Sequence, residues 1–364
     1  MEFRPNRQKP GRRRTWHPED DAALDAPGRE SVRAKGELSR KRTVIDKTAV
    51  GETDAGKLVE GRVIAVRGQF VDVNDGTRTW PCTVRRILRT RAISDRAPVV
   101  VGDRVSFAII ADEAGQLNEG VIEEVHPRRT ELKRSDGRRT HVIAANVDQA
   151  LIVSSIFEPR LKPHLIDRYL VAAHAGGLPC IICLTKADLD EENQADQFIE
   201  LYESLGYTAL KTSTKTGLNI DKLRELMKDK ATLLAGQSGV GKSSLLNAIE
   251  PGLKRATAEV SAATEKGRHT TTTAEWLPLS FGGAAVDTPG IRALDVAMVP
   301  LNELELHFVE FPDRIAGCRF TNCSHIHEAG CAIKAAVEAG EIDEDRYRSY
   351  VELFLELSES QRQY

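Results

Sequence analysis

The spacing of hydrophobic positions changes three times along the chain. Residues 1–55 lack apolar periodicity and carry four prolines among many charges, so they cannot bury enough surface to fold alone. Residues 58–125 contain short β-rich runs separated by turn sequences such as Asn74-Asp75-Gly76. From residue 146 apolar strands alternate with helical stretches, and after residue 301 the chain becomes helical around several cysteines and histidines. These changes predict a multidomain protein.

Four segments follow from this pattern. We expect a flexible basic tail at 1–55, an OB-type β-barrel at 56–135, a central α/β domain at 140–300 and an α-helical zinc-binding domain at 301–364. Five short strands suit an OB barrel, although other small barrels fit almost as well. They are predicted at 59–67, 69–73, 79–87, 103–110 and 119–125.

The central segment predicts a parallel sheet with crossover helices, because strands and helices alternate along it. The strands are predicted at 149–156, 179–184, 208–212, 232–235, 275–279 and 284–286. The helices are predicted near 162–175, 192–205, 220–228 and 242–249.

Composition narrows the class of protein. A chain of 364 residues suits two or three domains, and 41% hydrophobic with 29% charged residues is ordinary for a soluble globular protein. No apolar run of 18 residues occurs, and the arginine-rich start lacks the apolar core of a secretory signal. The acidic run Glu19, Asp20 and Asp21 argues against a transit peptide. We therefore expect a cytoplasmic monomer with no membrane partner.

The net charge of -3 hides an uneven distribution. Residues 1–140 hold 29 Lys and Arg against 22 Asp and Glu, whereas the remaining residues hold 22 against 32. A basic front half suits a polyanionic partner such as RNA. A solvated charged surface explains the charge alone equally well.

A phosphate-binding loop is the strongest motif. Residues 236–243 match G-x-x-x-x-G-K-[ST], with a predicted strand before them and a predicted helix after them. Lys242 is expected to reach the β- and γ-phosphates, and Ser243 to bind Mg²⁺. Backbone N–H groups and the helix N-terminus favour phosphate here. The predicted phosphate contacts are Gly236, Gln237, Ser238, Gly239, Val240, Gly241, Lys242, Ser243 and Ser244.

A base-recognition motif precedes this loop. Thr185-Lys186-Ala187-Asp188 ends an apolar strand and resembles the N-K-x-D motif of GTPases. The Asp188 carboxylate would accept hydrogen bonds from guanine N1–H and its amine, whereas adenine offers no matching donors. We therefore expect GTP and GDP as ligands, with Ser213 in a second loop that backs the base. Threonine in place of asparagine predicts weaker support of the motif.

The remaining nucleotide motifs follow the phosphate loop. An apolar strand ends in Asp287-Thr288-Pro289-Gly290, which matches D-x-x-G, so Asp287 is expected in the Mg²⁺ shell and Gly290 at the γ-phosphate. Between the phosphate loop and the D-x-x-G motif lies a polar loop that contains Thr271, the predicted switch threonine and second protein ligand of Mg²⁺. Thr270 is the alternative to Thr271.

The motif order is a circular permutation of the usual GTPase order. The base motifs come first, and cutting a closed set of connections at another surface loop leaves the site unchanged. This order, the phosphate loop and the segment Ile143-Ala144-Ala145-Asn146-Val147-Asp148-Gln149 resemble the RsgA (YjeQ) family of small ribosomal subunit biogenesis GTPases. The resemblance covers about residues 57–364.

The residue after D-x-x-G is Ile291, where many GTPases place a water-orienting glutamine. Isoleucine cannot orient water, so we expect slow intrinsic hydrolysis. His269 in the switch loop is the candidate catalytic replacement once a partner orders that loop. The alternative is that His269 packs or contacts RNA.

Four metal-ligating residues lie within 14 positions near the C-terminus. They are Cys318, Cys323, His325 and Cys331. Three thiolates and one imidazole form a closed set that suits one structural Zn²⁺, with His327 as a second choice to His325. The spacing matches the family pattern. Cys180 and Cys183 point to opposite faces of one strand, so we read them as core thiols.

The resemblance implies that the barrel and zinc module clasp the small (30S) ribosomal subunit and its rRNA during late maturation. It also implies that the subunit stimulates hydrolysis. Two rival interpretations remain: a nucleotide-gated RNA-binding factor with incidental turnover, and a P-loop ATPase with a zinc nucleic-acid module.

Overall fold

The structure is a computed structural model that describes 58–85, 88, 98–111, 117–135, 140–253, 274–287 and 296–362. The predicted tail at 1–55 lies outside these residues. So do the predicted switch-loop residues His269 and Thr271, and Gly290 with the isoleucine that follows it.

The first part of the described chain forms a closed five-stranded barrel. Its strands are β1 (Val59–Arg67), β2 (Phe70–Asn74), β3 (Thr79–Val84), β4 (Arg104–Ala111) and β5 (Leu117–Val125). They pair in the order β1-β2-β3-β5-β4, and β4 returns to β1. The β3–β5 pair is parallel, and the other pairs are antiparallel. This closure confirms the predicted OB-type barrel.

A two-stranded hairpin joins the barrel to the central domain. It consists of β6 (Glu131–Ser135) and β7 (Thr140–Ala145), which pair antiparallel. Neither strand was predicted from the sequence. Within β6, Leu132 is the buried apolar residue, so this strand has no alternating pattern that a sequence reading could detect.

The central domain alternates strands and helices as expected. The strands are β8 (Gln149–Ser155), β9 (Cys180–Thr185), β10 (Thr208–Lys211), β11 (Ala231–Ala235), β12 (Glu275–Pro278) and β13 (Ala284–Asp287). The helices are α1 (Pro163–Ala175), α2 (Gln194–Ser204), α3 (Ile220–Met227) and α4 (Lys242–Ile249). The sheet order is β10-β9-β8-β11-β13-β12, and its first five strands are parallel.

The prediction that β12 belongs to a fully parallel sheet is wrong. β12 pairs antiparallel with β13, because the residues at 279–283 that connect them are too few for a crossover. Gly282 and Gly283 have φ of 91° and 75° and turn the chain there. β12 also pairs with β1 of the barrel, so one sheet runs through both parts.

The sheet carries apolar layers on both faces. Cys183 lies in one layer with Leu151 and Leu234, whereas Cys180 packs against the other layer. Both thiols are therefore core residues on opposite faces, as the strand periodicity predicted.

The C-terminal part is helical and packs onto the central domain. It comprises 3₁₀ turns at Val296–Met298 and Leu301–His307, then α5 (Pro312–Ile315), α6 (Ala332–Glu338) and α7 (Glu344–Arg362). Arg346 of α7 is 1% exposed and forms ion pairs with Asp167 of α1 and Glu310. Tyr202 of α2 donates a 2.6 Å hydrogen bond to the same Asp167 carboxylate. Buried charges thus fix α7 to the central domain. None of the helices in the described part of the chain is long and apolar enough to cross a membrane.

Candidate nucleotide site and metal centre

The phosphate loop lies where the buried strand β11 ends and α4 begins at Lys242. Its glycines adopt conformations that other residues rarely adopt: φ is 149° at Gly236, 82° at Gly239 and 94° at Gly241. A Cβ on Gly236 would stand 2.2 Å from the carbonyl oxygen of Val153. Gly236 therefore has no room for a side chain, because the loop packs closely against β8 at this point.

The Lys242 ammonium folds back into this loop. Its Nζ donates to the carbonyl oxygens of Gly236 at 2.7 Å and Gln237 at 2.8 Å. Burial lowers the pKa of Lys242, and the negative charge of Asp287 opposes this shift. The loop thus holds a partly buried cation beside the acidic end of β13.

Asp287 is the last residue of β13. It lies in register with Leu234 of β11 on one side and with Glu275 of β12 on the other. The strand that leads into the phosphate loop therefore runs directly alongside the strand that presents Asp287. Because both are parallel strands, their carboxyl ends share one edge of the sheet, which is where open α/β sheets bind ligands.

Thr185 connects the base motif to the phosphate loop. Its side chain is buried, and its Oγ1 lies 2.5 Å from the carbonyl oxygen of Val240 and 3.1 Å from that of Ser154. The single hydroxyl proton is therefore shared between these two acceptors, with Val240 the nearer. The hydroxyl therefore supplies the support that we expected the threonine to weaken.

Asp188 is held by the second base loop. Its Oδ1 accepts a 2.6 Å hydrogen bond from the Ser213 hydroxyl, and its Oδ2 lies 3.1 Å from Lys215 Nζ. The hydrogen bond from Ser213, aided by Lys215, lowers the pKa of Asp188. Lys186 has a φ of 61° and donates from Nζ to the carbonyl oxygen of Glu158. The structure thus brings both predicted base motifs together.

The chain from the end of β7 to the start of β8 carries three polar residues for which the sequence predicted no role: Asn146, Asp148 and Gln149. Asp148 accepts a 2.8 Å hydrogen bond from the Ala231 N–H at the start of β11. Gln149 Nε2 donates to Thr232 Oγ1 at 2.9 Å. Asn146 Nδ2 donates at 2.9 Å to the carbonyl oxygen of Gly102 in the barrel. These polar groups join the barrel to the strand that leads into the phosphate loop.

The second candidate site is the cluster of Cys318, Cys323, His325 and Cys331. One potential ligand atom from each residue lies within 4.8 Å of the others. His325 Nδ1 lies 3.6 Å from Cys318 Sγ and 3.4 Å from Cys331 Sγ. His327 is exposed and outside the cluster. Three thiols and one imidazole converging in this way are compatible with tetrahedral zinc.

Surrounding residues orient the imidazole and its loop. Glu305 Oε2 lies 2.7 Å from His325 Nε2, which leaves Nδ1 turned toward the thiols. The Tyr347 hydroxyl donates to the carbonyl oxygen of His325 at 2.7 Å, and the Tyr350 hydroxyl to that of Ser324 at 3.0 Å. Glu305 was not predicted from the sequence, because it lies 20 residues from His325 and no spacing rule connects them.

The fold and these sites define the class of protein: a P-loop GTPase with circularly permuted motifs, an OB barrel before them and a helical module with a Cys/His cluster after them. A sequence model of the RsgA GTPase family matches residues 125–297. Named relatives and solved structures match most of the chain.

A protein of Shewanella oneidensis named small ribosomal subunit biogenesis GTPase RsgA is 38% identical over 90% of this chain and 92% of its own length. A Chlorobaculum parvum protein of the same name is 42% identical over 83% of this chain and 99% of its own. The crystal structure of YjeQ from Thermotoga maritima matches with a TM-score of 0.66 and 38% identity, covering 83% of this chain and 99% of that one. The chain belongs to the RsgA family of GTPases.

Proposed function

We propose that this GTPase assists late maturation of the small (30S) ribosomal subunit in the cytoplasm, and that the subunit stimulates its slow GTP hydrolysis. The observation that carries the proposal is the arrangement of Lys242, Asp287 and the Asp188–Ser213 pair at one edge of the sheet, in the order typical of the family. The names of the relatives support the choice of partner.

Two groups of residues at this edge of the sheet bind the nucleotide, one at the base and one at the phosphates. Asp188 and Ser213 select guanine, with Thr185 and Lys186 fixing their loop against the phosphate loop. Lys242 contacts the β- and γ-phosphates, and Ser243 with Thr271 holds Mg²⁺. Asp287 belongs to the Mg²⁺ shell, and Gly290 contacts the γ-phosphate. GDP occupies the same base and phosphate contacts after hydrolysis.

Hydrolysis depends on the segment that follows β13. Because Ile291 cannot orient the attacking water, the isolated protein turns over slowly. His269 supplies this function when the small subunit orders the switch loop. The basic barrel is the part that meets rRNA phosphates, in keeping with the excess of Lys and Arg in residues 1–140.

One Zn²⁺ stabilises the C-terminal module without taking part in catalysis. Cys318, Cys323, His325 and Cys331 fill all four tetrahedral positions, so no open position remains for substrate.

GTP turnover measured with increasing amounts of purified small subunits tests the proposal. We expect the wild-type rate to rise with subunit concentration, because the subunit orders the switch loop. The His269→Ala variant should bind GTP normally and show little of this increase. Turnover that does not respond to subunits would refute the functional assignment, whereas a fully stimulated variant would refute only the role of His269.

A further inference from the structure

The barrel lies close to β13, the strand of the central domain that ends in Asp287. Ala65 of β1 is in register with Glu275 of β12, and Glu275 is in register with Asp287 of β13. Adjacent strands lie about 4.8 Å apart, so the backbone of Asp287 is only about 10 Å from the barrel strand. β12 also begins directly after the segment that contains the predicted switch threonine.

A side-chain contact reinforces this strand pairing. The guanidinium carbon of Arg62 in β1 lies 4.5 Å from the ring centroid of Trp276 in β12. Trp276 is 8% exposed, and Arg62 Nη1 donates to the carbonyl oxygen of Gly102 at 3.4 Å. A cation over an indole ring at this distance is an attractive contact, which strengthens where water is excluded.

Gly102 allows the indole ring of Trp276 to pack closely against the barrel. A Cβ at this glycine, whose φ is 89°, would stand 3.0 Å from Trp276 and 2.0 Å from the carbonyl oxygen of Ala145. Beside the contact lies an open groove of about 480 Å³, which is bordered by Arg62, Trp276 and Arg104. The Arg62–Trp276 contact therefore forms part of the wall of this groove.

We propose that Arg62 and Trp276 are positioning residues for GTP hydrolysis, holding β12 and therefore Asp287 in place through the barrel. They act on the Mg²⁺-binding end of the site and leave guanine recognition unaffected. The base motifs lie on β9 and β10, on the far side of β11 and β8 from β12. This inference rests on the proposed role of Asp287 in the Mg²⁺ shell.

The test is steady-state GTP hydrolysis by the full chain as a function of Mg²⁺, with Arg62→Ala and Arg62→Gln. A cation–π contact of ordinary strength corresponds to a change of about 2- to 30-fold in a rate or equilibrium constant. We expect kcat to fall and the Mg²⁺ concentration for half-maximal rate to rise within that range. The Mg²⁺ concentration for half-maximal binding of a non-hydrolysable GTP analogue, measured by equilibrium titration, should rise by the same factor. At saturating Mg²⁺ the GTP KM should stay within about twofold. Arg62→Gln keeps much of the side-chain length without the charge, so it reports on the cation if Arg62→Ala folds poorly.

The matched control is Arg78→Ala, because Arg78 makes the same kind of cation–ring contact, at 3.3 Å from the Trp80 ring, with a residue of the barrel itself. It should leave the Mg²⁺ requirement unchanged. Trp276→Phe keeps an aromatic ring and should retain most of the wild-type kcat. If both Arg62 variants match wild type or match Arg78→Ala, the inference is overturned. An Asp287→Asn protein with a normal Mg²⁺ requirement would instead overturn the role of Asp287.

Discussion

Replacing Thr185 by valine removes one hydroxyl and keeps the shape of the side chain. The change deletes the hydrogen bonds to Val240 and Ser154, which tie the base motif to the phosphate loop and to β8. The hydroxyl has one proton, shared between these two carbonyl oxygens, and leaving a buried acceptor unsatisfied costs about 1–3 kcal/mol. If the nucleotide requires both loops at a fixed separation, this cost weakens GDP binding about 5- to 150-fold.

Isothermal titration of GDP and urea unfolding together measure this effect. Thr185→Ser keeps the hydroxyl and should bind GDP within about threefold of wild type, since the donor is retained. The test compares the change in GDP affinity with the change in the free energy of unfolding. A valine variant that unfolds more easily yet binds GDP as wild type does would refute the view that Thr185 couples the two loops.

Three further changes test other parts of the structure. Asp188→Asn replaces an acceptor by a donor toward the base, so competition assays should show weaker GDP binding and relaxed guanine choice. Glu305→Ala removes the carboxylate from the His325 imidazole and should lower zinc affinity about 10- to 100-fold in chelator competition, whereas Glu305→Gln keeps an acceptor and should lose less. Arg346→Ala leaves the buried carboxylates of Asp167 and Glu310 unpaired, so urea unfolding should show a loss of about 3–5 kcal/mol; a loss below about 1 kcal/mol would contradict this account.

The C-terminal module and the barrel are attached to the central domain in different ways. Arg346 joins α7 to α1 through charges that are removed from water. The barrel is attached by its strand β1, which contacts β12 through the Ala65–Glu275 pair and the Arg62–Trp276 contact. In the sequence Gly290, the predicted γ-phosphate contact, precedes the C-terminal module by about ten residues. In the described structure one strand, β12, separates β1 of the barrel from β13, which ends in Asp287.

The sequence by itself determined the features that depend on residue type at short spacing. The phosphate loop from Gly236 to Ser243 and the four Cys and His residues were identified because backbone and metal geometry permit few spacings. Buried strands such as β8 and β11 were found because continuous apolar runs bounded by turns allow few alternatives. The number and length of the first strands predicted a small β-barrel, and their pairing in the structure decided that it is of the OB type.

Only the tertiary structure decided how distant residues meet. The antiparallel direction of β12 was decided by its pairing with β13. The pairing of β12 with the barrel, the Thr185–Val240 hydrogen bond and the approach of Glu305 to His325 join residues 20 or more positions apart in the chain. No local periodicity encodes such pairs, because they arise when separate elements compete to bury apolar surface and to satisfy buried polar groups. The chemistry of the site was therefore present in the sequence, whereas the connections that align it depend on the fold.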